Sequence, residues 1–129
     1  MKVLALDYGA ARTGVAVSDE TGTLARPLDV VEKAATEAGI ARVLELAKRE
    51  EVDRIVVGMP VTLRGELGAQ AEETQRFVAA LRGATDLPVE SFDERFTTKL
   101  ARQTGGVAPE DAVAAAHLLD GYLTWLRAS

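Results

Sequence analysis

Apolar residues crowd the start of the chain. Lys2–Leu6 reads as one buried strand, and the alternating "TGVAVSD" that follows reads as a second. "DETG", from Asp19 to Gly22, is a turn. Leu24–Val31 reads as a third strand, and Pro27 within it points to a sheet edge, because proline cannot donate to a ladder. Strands joined this closely form an antiparallel meander. From Thr36 to Glu50 the period lengthens, and Ile40, Val43, Leu44 and Ala47 mark one face of a helix. "RIVVGMP" returns to a buried strand. Ala69–Leu81 is a helix with Ala69, Thr74, Phe77, Val78 and Leu81 inward, ending at Gly83. "LPVESF" is a fifth strand, Thr97–Gln103 a short helix and Pro109–Leu126 a long final one. Proline at its start, followed by acids in the first turn, suits a helix beginning.

The pattern implies an α/β fold in one domain spanning residues 1–129. An antiparallel three-strand meander extended by two parallel crossover strands makes a five-stranded mixed sheet with helices on both faces. The carboxyl ends of strands one, four and five then lie close together, which is where such sheets bind ligands.

Composition narrows the chemistry. Of 129 residues 47% are apolar, which fits a globular protein with a real core. No apolar run approaches the ~20 residues of a membrane span, and Asp7 interrupts anything resembling a signal peptide. A cytoplasmic protein without a membrane partner is the simplest expectation. There is no cysteine and a single histidine, His117. A metal would therefore have oxygen ligands, which favours Mg²⁺ or Mn²⁺. The net charge of −5 weighs against a nucleic-acid partner without excluding one, since 11 of the 15 basic residues are arginine.

Three acidic places converge in this topology. Asp7 closes the first strand, Asp93 and Glu94 close the fifth, and Asp111 sits in the first turn of the last helix. Carboxylates pushed together raise one another's pKa and destabilise the fold, and a divalent cation reverses that penalty. Blander readings stand beside this one. Asp7 before Tyr-Gly also suits a turn, and Asp111 also suits a helix dipole. Gly9 and Gly14 fit turns, or a phosphate approaching the bare backbone.

Four motifs in order, "LDYGAARTGVAVSD", "IVVGMPVTLRGELG", "DERFTT" and "EDAVAAAHLLDGYL", resemble the YqgF/RuvX family of RNase H-like proteins. The resemblance runs nearly end to end. It implies an RNase H-like sheet and a nuclease dependent on Mg²⁺ or Mn²⁺, associated with maturation of the 5′ end of pre-16S ribosomal RNA. The family's older label is Holliday junction resolvase. RNase H-like nucleases usually carry an acid on the fourth strand, and "RIVVGMP" has none. The resemblance gives that role to "DER". Alternation sends Asp93 and Glu94 to opposite faces, and Glu94 is the preferred ligand. The implied metal set is Asp7, Glu94 and Asp111, with Asp93 as a further catalytic candidate.

Basic residues supply candidate phosphate contacts. Arg12 lies beside Asp7, Arg64 at the tip of the "GMPVTLRGELG" loop, and Arg95, Lys99 and Arg102 at i, i+4 and i+7 of one helical face. With Gly9 these make up the expected substrate-binding set. A solvated face explains the Arg95 stripe equally well. His117, Tyr122 and Trp125 read as packing residues. The expected partner is nucleic acid, RNA in preference to DNA, in the setting of the pre-ribosome, for a monomer or weak homodimer. Three rivals stay open: a junction-cutting DNA endonuclease, a ribosome-assembly factor that binds without cutting, and a sugar kinase–actin type phosphotransferase. The last normally uses two domains, and 129 residues supply one.

Overall fold

The computed structural model describes residues 1–60, 68–93 and 110–128. Among the described residues, five strands and three helices follow in the order β1 (Val3–Asp7), β2 (Arg12–Ser18), β3 (Ala25–Glu32), α1 (Glu37–Arg49), β4 (Arg54–Met59), α2 (Ala69–Ala84), β5 (Val89–Asp93) and α3 (Glu110–Ala128). The strands form one sheet in the order β3-β2-β1-β4-β5. β1 pairs antiparallel with β2, and β2 with β3. β4 runs parallel to both β1 and β5. The expected mixed sheet is present, and Pro27 does sit on an edge strand. The short helix expected over Thr97–Gln103 and the helix-opening Pro109 lie outside the described residues.

Two apolar layers flank the sheet. Leu4, Leu6, Val15, Val17, Ile55 and Val57 pack against Val43 and Leu46 of α1 and Phe77 and Leu81 of α2. On the other face Val3, Ala5, Ala16, Val56 and Phe92 meet Ala115, Leu118, Leu119, Tyr122 and Leu123 of α3. Each fully buried leucine contributes roughly 1.5–3 kcal/mol of transfer free energy. β1 alternates between these layers as a strand must: Leu4 and Leu6 point one way, Val3 and Ala5 the other.

As expected, Asp7 closes β1, so this carboxylate belongs to the ladder and not to the turn after it. Several other boundaries and faces differ from expectation. β3 starts at Ala25, leaving Leu24 exposed. Thr36 caps α1 from outside, its hydroxyl accepting the Gly39 N–H at 3.1 Å. Leu46 is part of the buried face of α1, whereas Ile40 and Leu44 are only partly covered. Ala69 is exposed and Ala71 takes the inward place at the start of α2. α2 also continues through Gly83 to Ala84.

The far end of α3 is tied down by a polar knot. Arg54 Nη1 donates to the Tyr122 hydroxyl at 2.7 Å and pairs with Glu90 at 2.8 Å. Tyr122 in turn donates to Glu90 at 3.2 Å. These residues stand at the opposite end of the sheet from Asp7, since Arg54 is level with Val3.

Candidate active site

Asp7 ends β1 level with Gly14 of β2. Alternation from Val3 and Ala5 turns its half-buried side chain toward the α3 layer. Gly14 is the reason α3 can reach this place. The backbone of Asp111 and Ala112 fills the space beside the Gly14 Cα, where even a methyl group would collide with the Asp111 carbonyl. The first turn of α3 is therefore seated one ladder position from Asp7. Asp7 and Asp111, 104 residues apart in sequence, thereby come to the same face of the sheet, at the carboxyl ends of its parallel strands.

Arg12 completes this corner. It opens β2, and its Nε lies 3.2 Å from Asp111 Oδ2. The turn that carries it is held from several sides. The Thr13 hydroxyl lies 3.4 Å from both the N–H and the C=O of Gly9. The Lys33 N–H donates to the Ala11 carbonyl at 3.0 Å. A side chain on Gly9 would strike the Arg12 carbonyl, so closure of the turn itself accounts for glycine there.

Tyr8 anchors the turn from the other face. Its ring stacks on Phe77 with centroids 4.6 Å apart, and its hydroxyl donates to Glu73 of α2 at 2.9 Å. Burial, assisted by the Glu73 carboxylate, pushes the Tyr8 pKa up to about 12. Sequence reading passed over both Tyr8 and Glu73. The available signal was the placement of an aromatic residue with a polar tip directly after Asp7.

Asp93 is placed differently from Asp7. Phe92 packs in the α3 layer, so the next residue along β5 turns to the α2 side. Its ladder partner Met59 lies on that side, lining a groove with Gln75, Val78, Arg82 and Ser91. Alternation thus puts Asp7 on the α3 face and Asp93 on the opposite one, in keeping with the expectation that only one of the two acids after Phe92 turns toward Asp7. Glu94, Arg64, Arg95, Lys99 and Arg102 lie outside the described residues.

A pocket of about 170 Å³ runs from this corner along the flank of α3, lined among the described residues by Glu110, Asp111, Val113, Ala114 and His117. Among the described residues no three His, Asp or Glu side chains cluster closely enough to hold a metal by themselves. Carboxylates such as Asp7 and Asp111 suit Mg²⁺ or Mn²⁺ in kind, because a hard cation takes one or two protein carboxylates and fills its remaining positions with water and phosphate oxygens.

Comparison with known proteins gives the family and the fold. The model of the RuvX family, described as Holliday junction resolvase, matches residues 1–125. A protein of Chloroflexus aurantiacus named "Putative pre-16S rRNA nuclease" is 42% identical over 136 residues, covering 98% of this chain and 89% of the relative. One of the same name from Chloroflexus aggregans is 43% identical over 130 residues, covering 94% and 92%. Among solved structures, Thermus thermophilus RuvC in complex with a Holliday junction substrate superposes with a TM-score of 0.70 at 20% identity, covering 100% of this chain and 96% of that one. The fold is RNase H-like.

Proposed function

Since the chain belongs to the RuvX family, we propose that it is a divalent-metal-dependent nuclease that hydrolyses phosphodiester bonds in RNA, at the 5′ end of pre-16S ribosomal RNA. The observation that carries this reading is the seating of Asp111 on Gly14, the ladder partner of Asp7. It sets two carboxylates and an arginine at the ligand-binding end of the sheet, and relatives about 40% identical bear the pre-16S rRNA nuclease name.

In this mechanism Asp7, Asp111 and Glu94 would hold Mg²⁺ or Mn²⁺. When bound, the cation supplies an activated water and stabilises the leaving oxygen. Asp7 gives the site its rigidity, because its backbone pairs with Gly14 of β2 and the residue before it, Leu6, pairs with β4. Arg12 faces the phosphate and offsets the charge that develops on it. Asp93, on the opposite face, is left out of the metal set. Arg64, Arg95, Lys99 and Arg102 are retained as phosphate contacts that steer the strand.

A second reading, cleavage of branched DNA, has the family description in its favour. The net charge of −5 favours the first, because a four-way junction needs a broad basic surface. The test is a panel of labelled RNA and DNA substrates, linear and branched, with Mg²⁺ and with Mn²⁺. RNA carrying the pre-16S leader is cleaved, and Asp7→Asn and Asp111→Asn each lose more than the ~10–100-fold typical of an outer-shell partner. Preferential cutting of the junction would move the assignment to the second reading. No metal-dependent cleavage of any substrate would leave an assembly factor.

A further inference from the structure

We infer that Arg12 is the resident counter-ion of Asp111 while the site is free of metal, and that a divalent cation displaces it toward the substrate phosphate. The inference rests on the metal-site reading above and concerns the order in which charges are exchanged there. Its basis is the single ion pair that Arg12 makes. One guanidinium nitrogen, Nε, lies 3.2 Å from one carboxylate oxygen of Asp111. Among the described residues this is the only ion pair of either side chain.

The pair is built to be broken. The side chain of Arg12 is 66% exposed and that of Asp111 35% exposed, so the attraction is screened and weak. The backbones behind them are fixed: Arg12 begins β2, and Asp111 is seated on Gly14. A doubly charged ion at Asp111 competes with Arg12 for the same oxygen and repels its guanidinium. Turning about its side-chain bonds costs Arg12 no packing, because it is exposed. Its planar fork suits a phosphate, which accepts two parallel N–H bonds. Asp111 thus never lacks a cation, and Arg12 is delivered to substrate only once the metal is in place.

Two measurements test this, neither reading turnover. Mn²⁺ affinity of the nucleic-acid-free protein is measured by titration calorimetry for the wild type, Arg12→Gln, Asp111→Asn, the double variant and Asp7→Asn. Removing a weak competitor tightens Mn²⁺ binding by roughly two- to fivefold in Arg12→Gln. The same substitution has no effect in the Asp111→Asn background. Equal tightening in both backgrounds, or none in either, overturns the inference. Metal affinity unchanged in both Asp7→Asn and Asp111→Asn overturns the metal-site reading itself. The second measurement is the salt dependence of binding to a labelled single-stranded RNA, with and without Ca²⁺. Arg12→Gln lowers the slope by about 0.7, one phosphate's worth, with the cation only. An equal loss without cation would show that Arg12 reaches the phosphate while still paired, and the inference would fail.

Discussion

Gly14 and Asp111 touch backbone to backbone where β2 passes beneath the first turn of α3. No other residue type fits at position 14 without moving the helix start. Gly14→Ala is therefore expected to lose about 1–3 kcal/mol of stability, the usual cost of forcing volume into a packed contact. Metal affinity should fall with it, because the collision pushes Asp111 away from Asp7. Chemical denaturation and Mn²⁺ titration of the same variant check both. A variant as stable as the wild type with unchanged metal affinity would mean that the helix start does not position Asp111.

Asp93, which closes strand five, and Glu94, the next residue in sequence, should differ sharply in importance. Asp93 follows Phe92, which is buried in the α3 layer, and so takes the face away from Asp7. We expect Glu94→Gln to reduce metal-dependent cleavage at least tenfold more than Asp93→Asn does. Single-turnover rates at saturating Mn²⁺ would rank them. The reverse order would place the third ligand on the α2 side.

Tyr8 gives a pH signature. Its pKa is raised from the ordinary 10.0 to about 12, first by burial and then by its hydrogen bond to Glu73. The folded state thus holds the phenolic proton more tightly than the unfolded state. The associated stabilisation is complete below about pH 10 and drains away between about pH 10 and 12. Tyr122 is shifted the same way, chiefly by burial. Tyrosinate absorbance should therefore stay low at pH 10 in the folded protein, although half of each tyrosine is ionised in denaturant. Tyr8→Phe should remove most of the loss of stability above pH 10 and cost about 1 kcal/mol at neutral pH through the unpaired Glu73. An ordinary titration of Tyr8 would count against the bond to Glu73 in solution.

The knot of Arg54, Tyr122 and Glu90 offers a control at the other end of the sheet. Tyr122→Phe keeps the ring that packs on Phe92 and removes only the hydroxyl. We expect a loss of roughly 1–2 kcal/mol from stability, since Arg54 and Glu90 both lose a partner, with metal affinity unchanged. A changed metal affinity would mean that strain at this end is transmitted along α3.

Much of this was legible before the structure. Five strands and the long helices follow from a change of period along the chain, and Phe77, Val78 and Leu81 were placed inward correctly. Asp7 and Asp111 stood out because acids bordering apolar runs need a partner. What escaped depends on distant segments meeting. Gly14 reads as a turn or phosphate glycine in sequence, yet it lies inside a strand and its neighbour is a helix start nearly 100 residues on. The pairing of Arg12 with Asp111 and of Tyr8 with Glu73 arises only once α3 and α2 are docked. Local patterns carry no record of such pairs. The direction of Asp93 was the intermediate case: strand alternation allows either face in sequence, and only the burial of Phe92 fixes which way Asp93 turns.

Residues 3–32 form the meander by themselves, whereas the surface that covers Val3, Ala5 and Ala16 is the last helix. During synthesis the first strands leave the ribosome long before α3 exists to cover them. Half of the sheet then waits with its small apolar face open to water, and closing it carries the slow loop-closure entropy of a contact spanning most of the chain. That same docking step seats Asp111 on Gly14, the ladder partner of Asp7, while the ladders of the meander need no part of α3.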